Sequence, residues 1–216
     1  MALADSSILR GGVTLAAIAA LCTALVAFTH QLTDERIAAN EQAWLEQSLQ
    51  PALSGLFFDS GVSESLLRIP APHELPGSED AIVYRVYSGE SPVAALFVVS
   101  ARDGYAGAIK MLVGVEIDGA VTAVHVLAHR ETPGLGDRIE SGKSDWVQQF
   151  DGRSLTNPAI DDWKIRRDGG EYDALTGASV TSRAVVKAVR ETLQYFNANT
   201  DSIFAAPADQ DDEAEE

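Results

Sequence analysis

The sequence predicts an α+β fold, an antiparallel sheet with flanking helices, preceded by one N-terminal transmembrane helix. Three observations carry this reading. Residues 11–29, GGVTLAAIAALCTALVAFT, run without a charged side chain, and about twenty apolar residues cross the hydrocarbon of a bilayer as a helix. The middle of the chain is a succession of short β-branched and aromatic runs broken by Gly, Pro and Asp-Gly, the pattern of strands joined by tight turns. Towards the C-terminal end Val185, Val189, Leu193 and Phe196 recur at helical spacing, which puts one apolar face on a helix. Strands that follow one another directly, with the helix after them, favour antiparallel pairing over parallel crossovers.

Residues 1–10 are expected on the cytoplasmic side. For 11–29 a cleaved signal peptide competes, but its apolar core would be only about 7–15 residues long, so an uncleaved anchor is favoured. Arg10 and Arg36 flank the segment and nearly balance, so orientation rests on little charge asymmetry. Through 30–80, Ile37, Trp44, Leu45, Leu49, Leu53 and Leu56 recur helically in a polar background, predicting an amphipathic helix. Pro70, Pro72, Pro76, Gly61 and Gly77 then mark an irregular connection over 59–80. The folded domain is expected over 81–197. AIVYRVY (81–87) and VAALFVVSA (93–101) read as strands, and 108–129 reads as a hairpin around Asp118-Gly119, the dipeptide suited to a two-residue turn. A loop, RETPGLGD (130–137), leads to a short helix through Trp146, Val147 and Phe150, and a last helix runs from about Val180 to Phe196. The last twenty residues hold seven carboxylates and no Lys or Arg, so 198–216 is expected to be an acidic, disordered tail.

Composition excludes several functions. The net charge is −16 with no basic run, which argues against a nucleic-acid partner, because phosphate backbones are held by clustered Lys and Arg. The single cysteine, Cys22, lies in the apolar segment, leaving no intrachain disulfide and no thiolate cluster in the soluble part. No dinucleotide-binding G-x-G-x-x-G, P-loop, G-x-S-x-G or C-x-x-C occurs, so neither a nicotinamide nor an iron–sulfur site is expected, and redox work would need another bound cofactor. His125 and His129 fall on one strand face. A metal there is conceivable, but no Cys, Asp or Glu joins them at ligand spacing, so a surface or loop-packing role is favoured and neither a metal site nor a catalytic residue is assigned.

The chemistry concentrates in DALTGASVTSRAVVKAV, 173–189. Four hydroxyls, Thr176, Ser179, Thr181 and Ser182, crowd a glycine-containing loop that runs into a helix. The first turn of a helix has unpaired N–H groups and a positive dipole end, so phosphate is stabilised there without a basic side chain. The plainer reading is that Ser179 or Thr181 is an N-cap, a role Ser and Thr often fill.

Asp173-Ala-Leu-Thr176-Gly177-Ala178-Ser179 resembles the flavinylation motif D-x-x-[ST]-G-A-[ST] of the FMN-binding domain family, which includes the G subunit of Rnf electron-transport complexes and the C subunit of the sodium-pumping NADH:quinone oxidoreductase. Residues 103–119 and HRETPGLG (129–136) are similar to the same family's core in order and spacing, so the likeness covers roughly 80–197. The resemblance implies FMN joined to Ser179 through a phosphodiester, installed by a flavin transferase that uses FAD. Most members carry Thr at that place; Ser offers the same alcohol oxygen. Thr181 is the rival acceptor. It also implies that Asp173, Thr176, Gly177, Ala178 and Thr181 belong to the cofactor site, together with Glu131, Thr132, Gly134, Leu135 and Gly136 of the second motif. The chain would then relay electrons beside other membrane and iron–sulfur subunits of an Rnf-type ion-translocating oxidoreductase, coupling ferredoxin/NAD electron transfer to cation movement. It would sit in the bacterial inner membrane with the flavin domain on the periplasmic side, and would turn over no substrate alone. A C subunit of the sodium pump, or a tethered scaffold without flavin, are the alternatives.

Overall fold

The computed structural model describes residues 12–13, 15–20, 23 and 66–205. The chain divides into two compact units, Met1–Gln47 and Ser48–Glu216. In the first, the described residues are helical, and the Thr23 hydroxyl donates to the Ala19 carbonyl one turn back at 2.9 Å. Among the described residues no helix is long and apolar enough to cross a membrane. Much of the expected anchor, the amphipathic stretch at 37–56 and the tail from 206 onward lie outside the described residues.

The second unit is built on a five-stranded antiparallel sheet in which every strand pairs with its neighbour in sequence. Its strands are β1 (Leu66–Ile69), β2 (Ala81–Ser88), β3 (Ser91–Ala101), β4 (Ile109–Glu116) and β5 (Val121–Ala128). The β-branched runs form strands because their stiff side chains pack well on a pleated surface. The β4–β5 hairpin turns at Asp118-Gly119, where the Gly119 N–H donates to the Glu116 carbonyl at 2.9 Å and Asp118 Oδ1 accepts from the Ala120 N–H at 3.0 Å.

Two expectations need correction. Residues 59–80 were expected to be irregular, yet β1 lies among them, with Leu66 opposite Tyr84 and Ile69 opposite Ala81. Four residues are too few to show a period, and Pro70 ends the strand at once. The last helix, α1 (Ser179–Phe204), continues past Phe196 into the stretch expected to be tail. Ile203 is buried, and the Phe204 ring meets Tyr87 at 5.9 Å and Phe196 at 6.4 Å, both edge-on. Apolar contact carries the helix onward despite the acidic residues beyond it.

The face of α1 predicted to be apolar is the one that packs on the sheet: Val185, Val189, Leu193 and Phe196 are all buried, with Phe196 edge-on to Phe97 of β3 at 6.1 Å. Between β5 and α1 the chain forms short 3₁₀ turns, including Trp146–Phe150 where a short helix was expected. These turns close over a second aromatic group. Phe150 stacks on Tyr172 at 5.0 Å and Trp163 lies 4.7 Å from Tyr172. Trp163 Nε1 donates to the Ser154 carbonyl at 3.1 Å and Trp146 Nε1 to the Asp173 carbonyl at 2.7 Å, so the cluster fixes the start of the 173–182 segment.

The Tyr172 hydroxyl is buried without a hydrogen-bonding side chain or backbone group among the described residues, and burial pushes its pKa up. An unsatisfied buried hydroxyl costs about 1–3 kcal/mol. Tyr172→Phe is therefore expected to leave the thermal midpoint unchanged or higher, and a clearly lowered midpoint in calorimetry would refute it.

Candidate cofactor site

The 130–137 loop and the 173–182 segment, distant in sequence, meet at a cavity of about 560 Å³. It lies within the range of roughly 300–1,000 Å³ usual for small-molecule sites. Of the residues expected there, Glu131, Thr132, Leu135, Gly136, Gly177, Ala178, Ser179 and Thr181 line it. Asp173, Thr176 and Gly134 are not among its walls. Asp173 pairs with Arg166 at 2.9 Å with its side chain largely in solvent, Thr176 is exposed, and Gly134 sits at the outer bend of its loop with φ +78°.

The loop is wound around one acceptor. The Thr132 carbonyl receives the N–H groups of Leu135 at 3.2 Å, Gly136 at 3.0 Å and Asp137 at 3.4 Å. Such a turn needs the left-handed backbone at Gly134, open to glycine without penalty. Its far end is held by charge: Lys143 Nζ lies 3.0 Å from Asp137 and 2.7 Å from Glu140, and its ammonium holds both carboxyls below the ordinary carboxylate range.

Glu131 is the buried charge of the site. Its Oε2 accepts the Thr181 hydroxyl at 2.5 Å and its Oε1 accepts the Ala106 N–H at 3.1 Å. Its own N–H donates to His129 Nδ1 at 3.0 Å. His129 Nε2 therefore carries the hydrogen facing Glu140 Oε1 at 2.7 Å. That is the loop-packing role favoured from the sequence; His125 faces the Ser141 hydroxyl at 3.5 Å. Among the described residues no group of His, Cys, Asp or Glu is arranged to hold a metal ion.

The hydroxyls divide their work. Ser182 Oγ accepts the Leu175 N–H at 3.0 Å and donates to the Ala178 carbonyl at 3.0 Å, stitching the loop to the helix. Thr181 is fully buried and committed to Glu131. The N-cap position is Ala178, and no side chain caps the helix, so neither Ser179 nor Thr181 serves the plain capping role. Ser179 lines the cavity and its hydroxyl makes no hydrogen bond among the described residues.

Four further residues complete the walls: Tyr105, Arg167, Val180 and Arg183. The sequence did not single them out: Val180 and Arg183 lie within 173–189 but outside the motif's specified positions, and Tyr105 and Arg167 come from other segments. Arg183 Nε lies 2.5 Å from Asp168 Oδ2, and its guanidinium holds that carboxyl below the ordinary range. Tyr105 had one signal, its place between glycines in DGYAG (103–107), which marks an aromatic ring presented on a tight turn.

FMN suits this arrangement. Tyr105, Leu135 and Val180 give apolar and aromatic wall, a side chain at Gly177 would crowd Leu135 of that wall, and phosphate is favoured at the open N-terminus of α1, beside Arg167 and the Asp168-paired Arg183.

Comparison with known proteins agrees. A family described as FMN-binding domain matches residues 104–194, and one described as RnfG N-terminal region matches 1–51. The G subunit of the ion-translocating oxidoreductase complex of Vibrio atlanticus is 41% identical over 203 residues, covering 94% of this chain and 96% of that protein. The chain belongs to the family of G subunits of ion-translocating oxidoreductase complexes. The G subunit from Pseudomonas aeruginosa is 42% identical over 201 residues, with 92% of this chain and 93% of that protein covered. The crystal structure of Shewanella oneidensis NqrC superposes with a TM-score of 0.44 at 20% identity, over 68% of this chain and 76% of that one. In this chain, the cavity at the head of α1 gathers eight of the eleven cofactor-site residues expected from the sequence, and leaves Asp173, Thr176 and Gly134 outside its walls.

Proposed function

We propose that this protein is a membrane-anchored flavoprotein that carries FMN covalently on Ser179 and relays electrons within an Rnf-type complex, where ferredoxin/NAD electron transfer is coupled to cation translocation. The observation that carries the attachment is the division of hydroxyls at the start of α1. Thr181 is buried and bonded to Glu131, whereas Ser179 borders the cavity with an uncommitted hydroxyl.

FMN, when bound, exchanges one or two electrons with neighbouring centres, and the protein's part is to place it and set its potential. Attachment joins Ser179 Oγ to the FMN phosphorus as the pyrophosphate bond of FAD breaks; AMP leaves and the hydroxyl proton passes to the flavin transferase. Arg167 and Arg183, the latter already paired with Asp168, line the cavity where that negative charge would be held, and the dipole of α1 would add to them. Leu135 and Val180, both exposed at the cavity, would be covered by the apolar part of the cofactor.

Intact mass of the full chain co-expressed with a flavin transferase tests the attachment: an added FMN phosphoryl group is expected, and unmodified protein would refute it. The anchor is proposed at 11–29, with the flavin domain on the periplasmic side, from the uncharged stretch and the acidic remainder. A reporter fused after Glu216 is expected to be active only outside the cytoplasm. Activity confined to the cytoplasm would reverse the orientation.

A further inference from the structure

We infer that Tyr105 forms the aromatic wall against the isoalloxazine ring and that Glu131 acts as the positioning residue that holds it there; this rests on the covalent-flavin reading above. Among the described residues Tyr105 is the only aromatic one lining the cavity, yet 71% of it is exposed. A large ring left this open on an otherwise fixed turn has no packing role in the protein itself. The other aromatic side chains near the site, Trp146, Phe150, Trp163 and Tyr172, are engaged with one another.

The turn that carries Tyr105 is fixed from both sides. A Cβ at Gly104 would stand 2.2 Å from the Gly107 carbonyl oxygen and 2.9 Å from Glu131 Oε1, so the backbone is folded tightly on itself and on the carboxylate. The Ala106 N–H, one residue beyond Tyr105, donates to that same Oε1. Through its other oxygen Glu131 holds Thr181 of α1, the helix that also bears Ser179. One buried carboxylate thus sets the distance between the turn bearing the ring and the helix bearing the attachment point. Offset stacking of a phenol ring on a flat heteroaromatic gains from both apolar burial and quadrupole alignment.

The prediction is spectroscopic. Tyrosine in contact with isoalloxazine quenches its emission by reversible electron donation to the excited ring, which phenylalanine cannot do. In full-length, transferase-labelled protein, Tyr105→Phe is expected to raise fluorescence per flavin several-fold with little change in the visible absorbance. Tyr105→Trp is expected to keep the quenching. Tyr105→Ala is expected to raise fluorescence per bound flavin and to shift the absorbance bands as well. Glu131→Ala should release the turn and raise fluorescence per bound flavin, and Glu131→Gln, whose amide oxygen still accepts the Ala106 N–H, should restore quenching. Labelled Tyr105 variants with wild-type fluorescence and absorbance would overturn the assignment, and the Tyr105 series decides even if Glu131→Ala fails to fold. Wild-type protein without flavin by mass would overturn the covalent reading itself, and this assignment with it.

Discussion

Ser179→Ala is expected to give a folded protein with no covalent flavin. The side chain being removed makes no hydrogen bond among the described residues and is not the helix cap, which falls at Ala178 without side-chain help. Substitutions that break no such feature usually stay within about 0.5 kcal/mol of wild type, so the denaturation midpoint should hardly move while labelling disappears. Ser179→Thr should keep the flavin, since an alcohol oxygen remains at the same place. Thr181→Val is the control with the opposite profile. It leaves Glu131 Oε2 without the hydroxyl that now donates to it, at a cost of about 1–3 kcal/mol, but it should remain labelled. Asp173→Ala should lower labelling, because the exposed Asp173 side chain is within reach of a modifying enzyme. The tryptic peptide 168–183 contains both Ser179 and Thr181. Fragmentation that places FMN on Thr181 would sink the assignment to Ser179.

Gly136→Val is expected to damage both stability and the cofactor site, in contrast to Gly134→Ala in the same loop. A Cβ at Gly136 would stand 2.9 Å from the Glu131 Cβ, 2.9 Å from Glu131 Oε2 and 3.2 Å from Thr181 Oγ1. It would drive a wedge into the hydrogen bond that joins loop to helix. Overpacking of this kind costs about 1–3 kcal/mol, and parting the Glu131–Thr181 pair adds to it. The walls of the cavity move with Glu131, so flavin absorbance should shift in whatever protein remains labelled. At Gly134 a Cβ meets nothing within 4 Å, and the penalty is only that of a left-handed backbone, roughly 1–2 kcal/mol for a side-chain-bearing residue. Gly134→Ala should therefore lower stability while leaving the flavin spectrum alone. Equal spectra for the two variants would show that the Glu131 contact does not shape the site.

Local signals account for what was legible in the sequence. β-Branched and aromatic runs and the Asp118-Gly119 turn marked β2 to β5, and the spacing of Val185, Val189, Leu193 and Phe196 marked the buried face of α1. Strand β1 was hidden because its four residues sit beside Pro70, and its pairing with β2 is a tertiary fact. The helix end was misjudged for a similar reason: Ile203 and Phe204 lie near carboxylates, and only the fold shows that Phe204 packs against Tyr87 and Phe196. At the site, the motifs named most of the lining residues but not their separate duties. Thr181 meets Glu131 fifty residues away, and no pattern within either segment announces that pairing. Tyr105 enters through the same long-range closure.

The length of α1 sets a lower limit on how far the protein can be trimmed for production. At 1.5 Å rise per residue, its 26 residues extend about 39 Å from Ser179 to Phe204. Its last turn is tied down by Ile203, by the Phe204 ring, and by Arg85 Nη1 donating to the Ala205 carbonyl at 3.0 Å. A C-terminal cut near residue 197, where the acidic sequence invites one, would strip those contacts from strand β2 and fray the helix from its far end. A shortened recombinant form should retain the chain through Ala205, with purification tags placed beyond it.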